Sequence, residues 1–193
     1  MPKLGMEPIR KGALVQATID EIGRAGSLDV TVTQIAKRAG VSSALAHHYF
    51  GGKDQIFLAA MRHILSVYGA QVRAAVLGAK TPRDRVEAII RANFEAGNFR
   101  PEVISAWLNF YVMSQSNEGA RRLLRVYQHR LHSNLVYDLR PLVGEDAHEV
   151  ADTLASMIDG LYIRHALREE TPSGKRACDR VLACLDIILE TYA

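Results

Sequence analysis

The sequence predicts an all-α protein. Apolar residues recur at helical spacing nearly from end to end, and no stretch of useful length alternates as a strand would. The interruptions are residues that stop or open helices: Gly26, Gly40, Thr81-Pro82, Gly97-Asn98, Pro101, Pro141, Gly144 and Thr171-Pro172-Ser173-Gly174. With 193 residues, 48% of them hydrophobic, the chain can bury the core of a small module and of a larger one.

A short arm carrying Lys3 precedes the first helix, which Pro8 is placed to open, since a missing N–H costs nothing in the first turn. Arg10 and Lys11 follow, where a cation opposes the helix dipole unless an anion lies nearby; surface charge and phosphate contact are both open readings. Leu14, Val15, Ile19 and Ile22 form the apolar stripe, and Gly26 closes the helix. Thr31 and Gln34 have the T-x-x-Q spacing of a capping box, so a second helix starts at about Val32, with Ile35, Ala36 and Ala39 as its apolar face. Gly40 supplies the left-handed turn, Val41 plugs the corner, and Ser42 caps a third helix led by Ser43, Ala44 and Leu45, with His47, His48 and Tyr49 behind them. This is the helix-turn-helix layout, whose second member fits the major groove of DNA, although a plain helical hairpin shares the periodicity.

After Gly51-Gly52, Lys53 falls in the first turn of a long helix carrying Ile56, Phe57, Ala60, Ile64, Val67, Tyr68 and Val72, where a phosphate would satisfy both the lysine and the free N–H groups. Thr81-Pro82 caps a helix predicted to end at Gly97-Asn98, and Pro101 starts the next, with Val103, Ile104, Trp107, Leu108, Phe110 and Tyr111. A break at Ser116 to Gly119 leads into a helix marked by Leu123, Tyr127, Leu131 and Leu135 and stopped by Pro141. Gly144-Glu145-Asp146 opens the helix of Val150, Leu154, Ile158 and Tyr162, and the last helix carries Ala177, Val181, Leu185 and Ile188. These two are too apolar for a lone surface hairpin and imply pairing with a second copy. The natural division is residues 1–52 against residues 53–193.

The formal charge is only +3, which excludes a polybasic nucleic-acid coat; seven Lys/Arg against five acids between Met1 and Asp54 give a modest local excess. Cys178 and Cys184 lie six apart, on different faces of one helix, and are read as free thiols of a reducing cytoplasm. There is no membrane-length apolar run and no signal-peptide core, so a cytoplasmic protein is expected.

An enzyme is the competing class. His129 and His132 sit one turn apart and His47 and His48 are adjacent, but neither pair has the further ligand or acid that a metal site needs. No phosphate loop or nucleophile elbow is present. No cofactor or metal is expected.

An aromatic set remains: Phe94, Phe99, Trp107, Phe110, Tyr111, Tyr127 and Tyr162, with Glu95 and Asp159 among them in sequence. Trp107, Phe110 and Tyr111 share a helical face, and aromatic faces beside a carboxylate suit an organic cation. Core packing is the alternative reading for each ring.

Thr31, Ile35, Ala36, Ala39-Gly40-Val41-Ser42, Tyr49-Phe50 and Lys53 resemble the tetracycline-repressor (TetR) family of bacterial regulators. The opening twenty-six residues, His48-Tyr49-Phe50, Ala106-Trp107-Leu108 and Ile158-Asp159-Gly160-Leu161 look in particular like its choline-responsive repressors of choline uptake and glycine betaine synthesis genes. The resemblance implies a homodimer, paired through the last two helices, on near-palindromic double-stranded operator DNA, and no membrane partner. Thr33, Ser43, Ala44, Leu45, His47 and His48 would face the groove, with Lys3, Arg10, Ser42, Tyr49 and Lys53 beside the backbone or groove edge. The family often has tyrosine where His47 stands, which removes a phosphate contact expected there; Phe50 reads as a core anchor. Phe94, Trp107, Phe110, Tyr111, Asp159 and Tyr162 would hold the effector, choline. The other reading is a regulator of an efflux or different metabolic operon, answering to another, lipophilic cation.

Overall fold

The computed structural model describes residues 5–167 and 173–192; Lys3 and the Thr171-Pro172 part of the last break lie outside the described residues. The described residues form helices α1 (Met6–Ala25), α2 (Val32–Arg38), α3 (Ser43–Phe50), α4 (Lys53–Leu77), α5 (Pro82–Asn93), α6 (Pro101–Ser116), α7 (Glu118–Val143), α8 (Ala147–Ala166) and α9 (Gly174–Glu190), with a 3-10 turn at Gly144–Asp146 and no strand.

The local signals operate as their chemistry requires. Thr31 and Gln34 close a reciprocal capping box on α2, and Thr81 and Asp84 do the same on α5. Ser42 accepts from the Leu45 N–H at the start of α3. Gly40, at φ 68°, makes the turn between α2 and α3.

Three boundaries differ from the sequence expectation. Helix α1 begins at Met6, with Gly5 at its cap, so Pro8 stands inside its first turn. Helix α5 ends at Asn93 rather than at Gly97-Asn98. The Asn93 side-chain amide donates back to Ile89 O (2.9 Å), and its carbonyl accepts the Tyr162 hydroxyl from α8, so a tertiary partner takes the acceptor that another helical turn would have used. Helix α7 runs past Pro141 to Val143. A proline in the last turn forfeits a single backbone bond, and Gly144 then closes the helix on Arg140 O.

Helices α1 to α3 pack as a small three-helix unit, and α1 also rests on α4 and α6. Helices α5 to α8 surround the larger core, with α9 across α5 and α8. Helix α6 is therefore shared: one face meets α1, the other meets α7 and α8. Among the described residues, no helix is long and apolar enough to cross a membrane. Cys178 and Cys184 are free thiols.

Candidate functional sites: a nucleic-acid face and an aromatic cage

The three-helix unit is fixed from below by Glu21, a carboxylate buried in α1. It accepts from Arg24 (2.6 Å) and from Arg38 at the end of α2, and these arginines hold it below the usual carboxylate range. Arg38 is thereby committed to joining α2 to α1. Above this anchor, Thr33, Ala44, His47 and His48 are exposed, Ser43 and Leu45 are half-buried, and the Ser43 hydroxyl donates to Thr33 (3.3 Å), linking the two short helices. Ser42 is occupied as the cap. Arg10 is exposed on α1.

Three contacts define what these side chains can offer a groove. His47 Nδ1 lies 3.0 Å from Gly51 O; a carbonyl can only accept, so Nδ1 carries the proton and Nε2 of the neutral ring is left as an acceptor. Lys11, for which the sequence leaves surface charge and phosphate contact both open, pairs with Glu7 (2.7 Å) and places its ammonium 5.4 Å from the centre of the Tyr49 ring. Lys53 donates to Leu28 O (3.1 Å), which ties the start of α4 to the loop before α2. Phe50 is packed against the core, as expected.

The second site lies where α4, α5, α6, α7 and α8 converge. Trp107 and Tyr111 of α6, Tyr127 of α7, Tyr162 of α8 and Tyr68 of α4 line a closed cavity with Asn93 and Asn98, leaving about 10 Å³, room for about one water molecule. The Trp107 ring centre is 4.6 Å from that of Tyr127, 5.7 Å from Tyr111 and 6.1 Å from Tyr162. At the edge stands Asp159, whose Oδ1 accepts from the hydroxyls of both Tyr111 (3.0 Å) and Tyr127 (3.1 Å). Burial pushes the Asp159 carboxyl up, and the two hydroxyl donors oppose that shift. Burial also drives the Tyr127 and Tyr162 hydroxyls well above their ordinary value, so both stay neutral donors.

Of the six residues expected around an effector, Trp107, Tyr111, Asp159 and Tyr162 come together here. Phe110 and Phe94 do not line the cavity. Phe110 is fully buried and meets Phe57 edge-on at 6.5 Å, because three residues from Trp107 it has rotated toward α4. Phe94 stands behind Tyr162, at 6.0 Å, in the early turn that ends α5. Tyr68, Asn93 and Asn98 were missed. Tyr68 keeps the period of the α4 stripe and looks like core; only its 6.0 Å approach to Tyr127 sets it apart.

A capped helix-turn-helix joined to a larger helical domain is the architecture of a DNA-binding regulator. Residues 14–60 match "Bacterial regulatory proteins, tetR family", and residues 82–190 match "BetI-type transcriptional repressor, C-terminal". The chain belongs to the TetR family, with a BetI-type C-terminal domain. It is 56% identical over 178 residues to the HTH-type transcriptional regulator BetI of Brucella anthropi, covering 92% of each chain. The BetI regulator of Rhizobium meliloti is 51% identical over 169 residues, covering 87% of this chain and 83% of that one. In structure it is similar to a transcriptional regulator from Pseudomonas aeruginosa PAO1 (TM-score 0.81, 28% identity, 97% of this chain and 93% of the other). It also shares the fold of a transcriptional regulator from Saccharomonospora viridis in complex with choline (TM-score 0.83, 21% identity, 93% and 97%). The chain is a DNA-binding transcriptional repressor and not an enzyme.

Proposed function

We propose that this repressor holds the operator of choline uptake and glycine betaine synthesis genes in the cytoplasm and releases it when choline enters the aromatic cage. The observation that carries this reading is Asp159, a half-buried carboxylate held by two tyrosine hydroxyls at the edge of a cavity walled by Trp107, Tyr127 and Tyr162. Each ring face contributes about 0.5 to 2 kcal/mol to a quaternary ammonium, tryptophan most, and the carboxylate supplies the opposite charge. The choline-bound regulator of the same fold and the BetI relatives support the choice of cation.

Residues 1–52 form the reading unit in this scheme and residues 53–193 the effector and pairing unit. Thr33, Ser43, Ala44, Leu45, His47 and His48 face the major groove, with Lys11, Arg10, Tyr49 and Lys53 toward phosphates. Two copies pair through α8 and α9, where Ile163, Leu167 and Ile187 are 37%, 71% and 65% exposed beside Gly160 and Ala183. Two-fold pairing sets the reading helices about 34 to 36 Å apart, one turn of DNA.

Helix α6 supplies the coupling. Trp107 and Tyr111 look into the cage from one face, while Glu102, Ser105 and Asn109 meet α1 from the other, Ser105 and Asn109 each donating at 3.4 Å to the carbonyls of Ile22 and Gly26. The cavity must widen to admit a trimethylammonium group, and widening it moves α6 against α1.

The test is choline titration followed by the fluorescence of Trp107, the one tryptophan in the chain. A saturable change at micromolar to millimolar choline is expected, and no change overturns the reading. A larger lipophilic cation that displaces choline and releases DNA at lower concentration would instead make an efflux or other metabolic operon the target.

A further inference from the structure

The cage is closed, so its cation needs a route inward. Between α7 and α8 lies a separate surface groove of about 410 Å³, walled by Gln128, His129 and His132 on one side and by Asp152 and Ala155 on the other, and reaching Asp159. Asp159 lines the groove and meets the cage through the hydroxyls of Tyr111 and Tyr127. Both tyrosine hydroxyls converge on its Oδ1, whereas Oδ2 accepts no hydrogen bond among the described residues and is not sealed from solvent. His132 Nε2 lies 3.3 Å from Asp152 Oδ1, joining the two helices at the groove.

The surroundings bias this path toward cations. A larger open cleft of about 890 Å³ shares His129 and His132 with the groove but is lined by Lys80, Arg85 and Arg140, and its carboxylate, Asp138, is already bound by Arg85 at 2.6 Å. An organic cation is repelled there. On the other side of the two histidines, Asp152 and the outward oxygen of Asp159 present negative charge at the wall of a cleft, where a low-dielectric surround focuses the field.

Building on the reading of the effector as a quaternary ammonium, we propose that the α7–α8 groove is a vestibule. It is an outer subsite that collects the cation between Asp152 and Asp159 and passes it to the aromatic cage, with the His132–Asp152 contact as its door. The tyrosine pair on Oδ1 keeps the Asp159 carboxylate oriented while the cation moves from one side of it to the other.

The experiment is stopped-flow Trp107 fluorescence with choline on the full-length protein and three variants. His132→Ala removes the door, Ala155→Phe fills the groove, and Asp152→Lys reverses the outer charge at a side chain that is 75% exposed. A path is travelled in both directions, so removing the door should raise association and dissociation rates together by about threefold or more, and filling the groove should lower both by about tenfold, with affinity moving much less than either rate. Asp152→Lys should slow association and weaken its salt dependence. Unchanged rates in all three variants of a protein that binds choline overturn the vestibule and leave the cage standing. Affinity lost through faster dissociation alone also overturns it, because the residues then belong to the final site. No choline signal in the unaltered protein overturns the effector reading and the vestibule with it.

Discussion

Gly23 of α1 lies against Glu102 of α6 so closely that a β-carbon built on the glycine would stand 2.6 Å from the Glu102 Cα. The three-helix unit and the helix that carries Trp107 thus meet backbone to backbone, with no flexible group between them to absorb a shift. Gly23→Ala should push α1 off α6, destabilising the protein by about 1 to 3 kcal/mol, as overpacking does. It should also weaken the dependence of DNA binding on choline while choline affinity itself changes little. Paired choline and operator titrations on this variant check the point.

Asp159→Asn should reduce choline affinity at least about tenfold, or about 1.4 kcal/mol, by removing the charge and keeping the shape. The pH dependence has a definite sign. Burial raises the Asp159 carboxyl above its unfolded value, so its contribution to stability is full below about pH 4 and is lost as pH rises through the folded value. The asparagine variant should therefore melt higher than the parent at pH 7 and converge with it near pH 4. Choline affinity of the parent should climb over the same interval as the carboxylate ionises, with a proton released on binding. Calorimetry in buffers of different ionisation enthalpy measures that proton.

Trp107→Leu keeps an apolar side chain on α6 and removes the ring that touches Tyr127, Tyr111 and Tyr162. Choline affinity should fall by about 5- to 30-fold, the loss of about 1 to 2 kcal/mol of cation–π attraction. Tyr68→Phe, which retains the ring, should cost less than Tyr127→Phe, which also takes a donor from Asp159. Equal losses for these two would mean that the hydrogen bond to Asp159 does not orient it.

On DNA, His47 and Lys53 should behave differently. With Nδ1 held by Gly51 O, neutral His47 can only accept through Nε2, which suits the amino group of adenine or cytosine in the major groove. His47→Ala should relax preference at one base pair per half-site by about 1 to 3 kcal/mol, while Lys53→Ala should weaken all sequences alike and lower the salt slope. Competition with single-base operator variants at two salt concentrations separates the two.

The parts of this fold that were legible in the sequence are those decided within a few residues. Thr31 and Gln34, Ser42, Gly40 and Thr81 each act on a neighbour three or four positions away, so their spacing alone fixes the helix starts and the turn. The end of α5 is decided by Tyr162, far along the chain, and no local pattern announces that a distant hydroxyl will take the Asn93 carbonyl. The cage divides the same way. Trp107 and Tyr111 share a face of one helix and could be paired by spacing, whereas Tyr68 joins only because α4 lies beside α7. Phe110 fell on the wrong side for the opposite reason: helical neighbours three apart diverge by about 60°, enough to reach another helix.

Ligand release of DNA requires that choline and operator oppose each other, and calorimetric titration of choline into the free protein and into its operator complex tests this most directly. Choline should bind the complex more weakly by about 5- to 150-fold, and operator should bind the choline-loaded protein more weakly by the same factor. Equal choline affinity in the two titrations would contradict the account, because a ligand that does not distinguish the DNA-bound form cannot release it.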